Sequence, residues 1–203
     1  MATITLRPSV ATQSNSEKTT LTNSENIWDG NTGTYAEFKH TQVGTTIYYL
    51  WISGFNFSSI PANAVVSEAT AKITKRTSNY VSTSTRPKFY RNETSGPEEV
   101  ELGTFDNNLG QNNYNTISAT MTAENFETFK GYGSDAIIGL PIKRSSVVSV
   151  ATEQICEVYI EVTYTTGGGT NNTRVGNSTP SKFYVGNDNV SKIYQGDNLI
   201  YGG

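Results

Sequence analysis

The clearest pattern lies late in the chain. Residues 155–164 read ICEVYIEVTY, in which Cys156, Val158, Ile160 and Val162 alternate with Glu157, Tyr159, Glu161 and Thr163. A period of two sends successive side chains to opposite faces of a strand, so this stretch predicts a β-strand with one buried and one wet face, Cys156 on the buried one. Residues 65–77 read the same way, with Ala69, Ala71 and Ile73 alternating with Thr70, Lys72 and Thr74. Residues 45–52 (TTIYYLWI) form an apolar and aromatic run bounded by Gly44 and Ser53-Gly54. The run is too short for a buried helix and predicts a central strand, so that of Trp28, Tyr35, Tyr48, Tyr49, Trp51, Tyr80, Tyr114 and Tyr132 about half are expected in the core. Further strands are expected at 88–91, 136–143 and 146–151, with Gly96-Pro97 as a break and 105–114 as loop. One helix is predicted at 122–130, where Phe126 and Phe129 share a face, Thr122 can cap the start and Gly131 closes the end.

Together these elements predict an all-β fold, an antiparallel, jelly-roll-like β-sandwich over residues 1–164, followed by a small C-terminal β-meander. The character changes at Thr165. Residues 165–173 (TTGGGTNNT) have the composition of a flexible linker, and residues 174–203 carry a ten-residue repeat. Ser181-Lys-Phe-Tyr-Val-Gly-Asn-Asp-Asn-Val190 is followed at once by Ser191-Lys-Ile-Tyr-Gln-Gly-Asp-Asn-Leu-Ile200, so that Ser, Lys, Tyr and Gly recur in step. Each unit reads as a short strand and a Gly-Asn/Asp turn. Units this small bury little alone, which makes Phe183, Tyr184, Ile193, Tyr194 and Tyr201 the expected assembly or docking residues of the tail.

Composition narrows the function classes. Fifteen Lys and Arg against eighteen Asp and Glu give a net charge of −3, and the basic groups Lys72–Lys75–Arg76 and Lys143–Arg144 are too short to track a phosphate backbone. A nucleic-acid partner is therefore not expected. No apolar run approaches the ~20 residues that span a bilayer, and residues 1–8 lack the apolar core of a signal peptide, so the expectation is a protein made in a cytoplasm with no membrane partner. The single cysteine, Cys156, has no partner for an internal disulfide.

The inventory for catalysis is thin. One histidine, His40, excludes multi-His metal sites, and its setting (Phe38-Lys-His-Thr41) reads as a strand edge. A carboxylate pair could come only from Glu93, Glu98, Glu99 and Glu101, which read as a solvated turn. No enzymatic activity is expected. Binding chemistry is better represented. Trp28, Tyr35, Tyr80 and Tyr114 fall in loop-like sequence and are the candidate glycan-stacking residues; the alternative is ordinary tyrosine at a protein interface. Asp29, Asn31 and Thr34 set oxygen donors around two glycines, a pattern compatible with Ca²⁺ or with a plain tight turn. No other cofactor is expected.

These residues carry a resemblance. Asp29-Gly-Asn-Thr-Gly-Thr-Tyr35 is similar to the Asp-Gly-Asn/Asp-x-x-Thr loop that supports a structural calcium in discoidin-like and carbohydrate-binding β-sandwiches. With residues 52–73 and the strand Glu157-Val-Tyr-Ile-Glu-Val-Thr-Tyr164, residues 1–164 resemble jelly-roll modules of carbohydrate-binding and phage structural proteins. The tail segments Ser181-Lys-Phe-Tyr-Val-Gly and Ser191-Lys-Ile-Tyr-Gln-Gly resemble the Lys-Ile-Tyr-x-Gly repeats of phage tail and fibre proteins. The resemblance implies a non-enzymatic virion component: a capsid or head fibre, a decoration protein or a tail appendage. Its expected partners are other virion proteins, further copies of itself in a homo-oligomer, and host surface glycans. The alternative is a carbohydrate-binding module of a cellular surface or secreted protein.

Overall fold

A computed structural model describes residues 1–41, 46–77, 86–106, 113–143 and 150–166, together with the backbone of residues 183–185, 188–190, 192–195 and 198–202. The chain divides into two compact units, Met1–Thr166 and Gly167–Gly203.

The first unit is an all-β sandwich of two antiparallel sheets. One sheet runs in the order β3 (Thr19–Thr22), β4 (Ala36–His40), β11 (Ala151–Thr166), β6 (Ala64–Thr77) and β9 (Asn115–Thr122). A further strand, β1 (Ala2–Leu6), shares with β4 one edge of β11: β1 pairs with residues 160–164 and β4 with residues 151–155. The second sheet runs β2 (Val10–Gln13), β5 (Tyr48–Ser53), β10 (Ala136–Ile142), β7 (Lys88–Glu93) and β8 (Gly96–Val100). From β4 onward each connection crosses to the other sheet, except the β7–β8 hairpin, which gives the jelly-roll-like alternation. The strand ends fix two poles. His40, Tyr48, Thr77, Ile142, Ala151 and Asn115 lie at one; Ala64, Thr122 and Thr166 lie at the other.

The core forms where the inward residues of both sheets meet. Phe38, Leu50, Ile52, Ile73, Phe89, Ile138, Leu140 and Ile160 are each fully buried. Helix α1 (Ala123–Gly131) adds to it. The Asn125 N–H donates to the Thr122 hydroxyl at 3.2 Å, capping the start as the sequence predicts. Phe126 and Phe129 turn inward, and the Phe129 ring meets those of Phe55, Phe57 and Phe89. Truncating such a side chain costs about 3–5 kcal/mol.

Several expectations change. Strands β1–β4, β8 and β9 carry weaker alternation and are additions to the sequence reading. Gly96-Pro97 does not break the chain: Gly96 (φ 111°) opens β8, so Glu93, Glu98 and Glu99 stand on a hairpin rather than in a loop. The strand expected at 146–151 falls mainly on 144–149, outside the described residues. His40 is no surface residue. It is 1% exposed on β4, between β3 and β11, with its ring 4.6 Å from that of Tyr48.

The largest correction concerns Cys156. Ile155 pairs with Lys75 and Glu157 with Thr74, so Cys156 is an extra residue in a bulge. The bulge reverses the phase of β11: Ala151, Glu153 and Ile155 face the core before it, and Val158, Ile160 and Val162 after it. Cys156 is buried but lies outside the core cluster, beside the Tyr114 hydroxyl. On β6 the inward face includes Lys75 as well as Ile73 and Thr77, which splits the basic group seen in sequence. Lys75 Nζ donates to Glu153 Oε2 at 2.8 Å and to Thr77 Oγ1 at 3.0 Å, and the Thr77 hydroxyl donates to Glu153 Oε2 at 2.8 Å. Burial still pushes the Glu153 carboxyl above its usual range, against the pull of Lys75.

In the second unit, β12 (Phe183–Val185) pairs with β13 (Asp188–Val190) and β14 (Lys192–Gln195) with β15 (Asn198–Gly202). Among the described residues the tail thus forms two hairpins, one in each repeat. Phe183 and Tyr184 fall on β12, Ile193 and Tyr194 on β14, and Tyr201 on β15, opposite Ile193.

Candidate functional site

Two outer faces of the sandwich carry concentrated polar and aromatic side chains. The first is the outer face of the β4–β11–β6–β9 sheet, where two of the sequence-predicted residues, Tyr35 and Tyr114, lie. Trp28 follows a short 3₁₀ turn (Ser24–Ile27) and is half-buried against the core. Tyr35 and Tyr114 are 37% and 40% exposed. Both lie near the Cys156 bulge, close enough for their hydroxyls to interact electrostatically. The Arg76 guanidinium lies 5.0 Å from the centre of the Tyr114 ring, whose hydroxyl donates to Gln154 Oε1 at 3.0 Å. Burial raises the Cys156 thiol pKa, so the thiol is protonated and covered at neutral pH. Tyr80 lies outside the described residues.

The Asp29 loop borders this face. Asp29 Oδ1 accepts from the Asn31 N–H at 2.7 Å and Oδ2 from the Thr34 hydroxyl at 2.6 Å, while Asn31 Oδ1 accepts from the Gly33 N–H at 2.9 Å. The hydrogen bonds from Thr34 and then Asn31 hold the Asp29 carboxyl below its usual range. The structure brings Asp29, Asn31 and Thr34 together in one hydrogen-bonded turn. Their oxygens are engaged within the turn. Among the described residues no cluster of three His, Cys, Asp or Glu has metal-binding geometry.

The second face is the outer side of the β2–β5–β10–β7–β8 sheet. On β5, Tyr48, Leu50 and Ile52 point inward, which sends Tyr49 and Trp51 out, both half-buried. Their rings stack at 4.6 Å with planes 7° apart, and Tyr90 of β7 meets both edge-on, at 5.8 Å and 5.0 Å. Gly139 makes the arrangement fit. It sits between Trp51 and Lys88 in one row across three strands, and a Cβ there would stand 2.5 Å from Tyr90 Cε2 and 2.7 Å from Trp51 Cζ3. Burial, with a hydrogen bond to Tyr49, pushes the Tyr90 phenol far above its usual range, so it stays neutral.

Beside this patch lies a groove of about 440 Å³, lined by residues 86–88, 99–101 and 103–105. Lys88, in the row of Gly139 and Trp51, and Glu99, opposite Tyr90, line the groove on the side of the patch; Lys88 Nζ donates to Glu99 Oε1 at 2.6 Å, and each side chain is nearly half exposed. Sequence reasoning undervalued Tyr49 and Trp51 by reading 45–52 as one buried run. The signal was present: within 48–53 the aromatic residues alternate with Leu50 and Ile52.

Comparison of the chain with protein-family models, with curated proteins and with solved structures finds no match.

Proposed function

We propose that this chain is a non-enzymatic display and binding protein of a phage virion, a fibre, decoration or tail appendage whose sandwich is presented and whose repeat unit assembles or docks. The observation that carries this reading is the succession of a self-contained sandwich and tandem hairpins, each hairpin being one copy of the Lys-Phe/Ile-Tyr-x-Gly repeat. Hairpins of three to five residues per strand need a neighbour to become stable, which suits a base built from several copies. Burial of His40 and Cys156, the single residues of their kinds, argues against catalysis by an exposed imidazole or thiolate. The half-buried Tyr49–Trp51 stack favours a second reading, a carbohydrate-binding module of a cellular surface or secreted protein.

Light scattering on the full chain and on residues 1–166, with binding of both to host cells, tests the proposal. Self-association of the full chain alone, with cell binding retained by residues 1–166, is the expected result. A monomeric full chain would favour the free-standing module.

A further inference from the structure

We propose that the groove beside Lys88 and Glu99, together with the Tyr49–Trp51–Tyr90 patch, binds a neutral saccharide. This deepens the binding half of the reading above and rests on it. Three observations converge on the ligand's chemistry.

The first is shape. A volume of about 440 Å³ lies within the range of small-molecule sites and suits two or three sugar rings. The groove adjoins an aromatic patch rather than standing alone. Sugar rings present CH faces that pack on aromatic carbon while their hydroxyls remain free for polar contacts.

The second is charge. The groove is lined by two cations, Arg86 and Lys88, and two carboxylates, Glu99 and Glu101, so its formal charge sums to zero. Lys88 is already paired with Glu99, and a phosphate or uronate entering the groove would compete with that carboxylate. An uncharged ligand meets no such opposition.

The third is the pairing itself. An ammonium and a carboxylate 2.6 Å apart offer a donor and an acceptor side by side. Two neighbouring sugar hydroxyls match that spacing, one accepting from Lys88 and one donating to Glu99. Packing alone accounts for Tyr90, whose ring fills the space above Gly139. It does not account for a stacked pair left half open beside a charge-balanced groove.

The test uses the full chain and a glycan array, followed by titration with maltotriose, cellotriose, xylotriose and chitotriose as neutral probes and trigalacturonate and sialyllactose as acidic ones. Calorimetry on the native protein gives affinity. Fluorescence of Trp28→Phe, in which Trp51 is the one remaining tryptophan, reports the site. Saturable binding of a neutral probe with a change in Trp51 emission is expected. Glu99→Gln and Lys88→Met should each weaken it about tenfold without shifting the melting temperature, since both side chains are exposed. Binding of acidic probes alone, or of no neutral glycan, would overturn the proposal. So would neutral binding untouched by either variant, which would move the site elsewhere, with the Tyr35–Tyr114 face the next to probe, and leave the display reading intact. Self-association of the full chain, measured on the same variants, is independent of these residues and judges the display reading separately.

Discussion

Lys75 and Glu153 face each other inside the sandwich, Nζ to Oε2 2.8 Å apart, with side chains 2% and 1% exposed. They pair across the two central strands of one sheet, where alternation would otherwise place apolar residues. Removing one partner strands the other in a low-dielectric interior. Glu153→Gln or Lys75→Met alone should cost about 3–5 kcal/mol in urea unfolding, while Lys75→Met combined with Glu153→Leu should recover most of that loss. A double variant as unstable as the sum of the singles would show that the pair's worth lies in its other contacts.

Acid should weaken the fold through Glu37. The hydrogen bond from Lys39, and then that from Gln154, hold its carboxyl below the usual value of 4.5. The folded state therefore keeps this charge to lower pH than the unfolded chain does. Its contribution is present above about pH 4.5 and is lost as pH falls through the folded value. Glu37→Gln should cost up to about 1 kcal/mol at pH 6, and the deficit should shrink toward zero by pH 3. Urea midpoints across that range measure it. Glu153 acts in the opposite sense, because its raised pKa favours proton uptake on folding.

The Cys156 thiol should be slow to react. It is 1% exposed beside the Tyr114 hydroxyl, and burial keeps it protonated. Native protein should resist a disulfide reagent that labels the urea-unfolded chain at once. Tyr114→Ala, at a residue 40% exposed, should speed native labelling by about tenfold while leaving the melting temperature nearly unchanged.

Gly139→Ala tests the outer aromatic patch. The added methyl would meet Tyr90 Cε2 at 2.5 Å and Trp51 Cζ3 at 2.7 Å, and both rings would have to move. A loss of about 1–3 kcal/mol is expected, with altered Trp51 emission and near-ultraviolet dichroism. Unchanged spectra would mean that the rings do not lie over Gly139.

Period-two patterning made β6 and the second half of β11 legible, because Ala69, Ala71 and Ile73 or Val158, Ile160 and Val162 bury one face cleanly. The same rule failed at Cys156, since one bulge residue reverses the phase and nothing in Ile155-Cys156-Glu157 announces it. Lys75 escaped for a related reason: its partner Glu153 is 78 positions away, and a charged inward residue is read as outward until that partner is seen. Among the candidate site residues, Tyr35 and Tyr114 stood out because they fall in loop-like sequence. Tyr49, Trp51 and Tyr90 form a patch only after β5, β10 and β7 lie side by side, so no single segment could reveal them.

The path of β11 has a further consequence. Its sixteen residues carry the chain from Ala151 at one pole to Thr166 at the other. At strand rise that is a span of about 50 Å. β1, β4 and β6 all pair with β11, so opening it would release three strands at once.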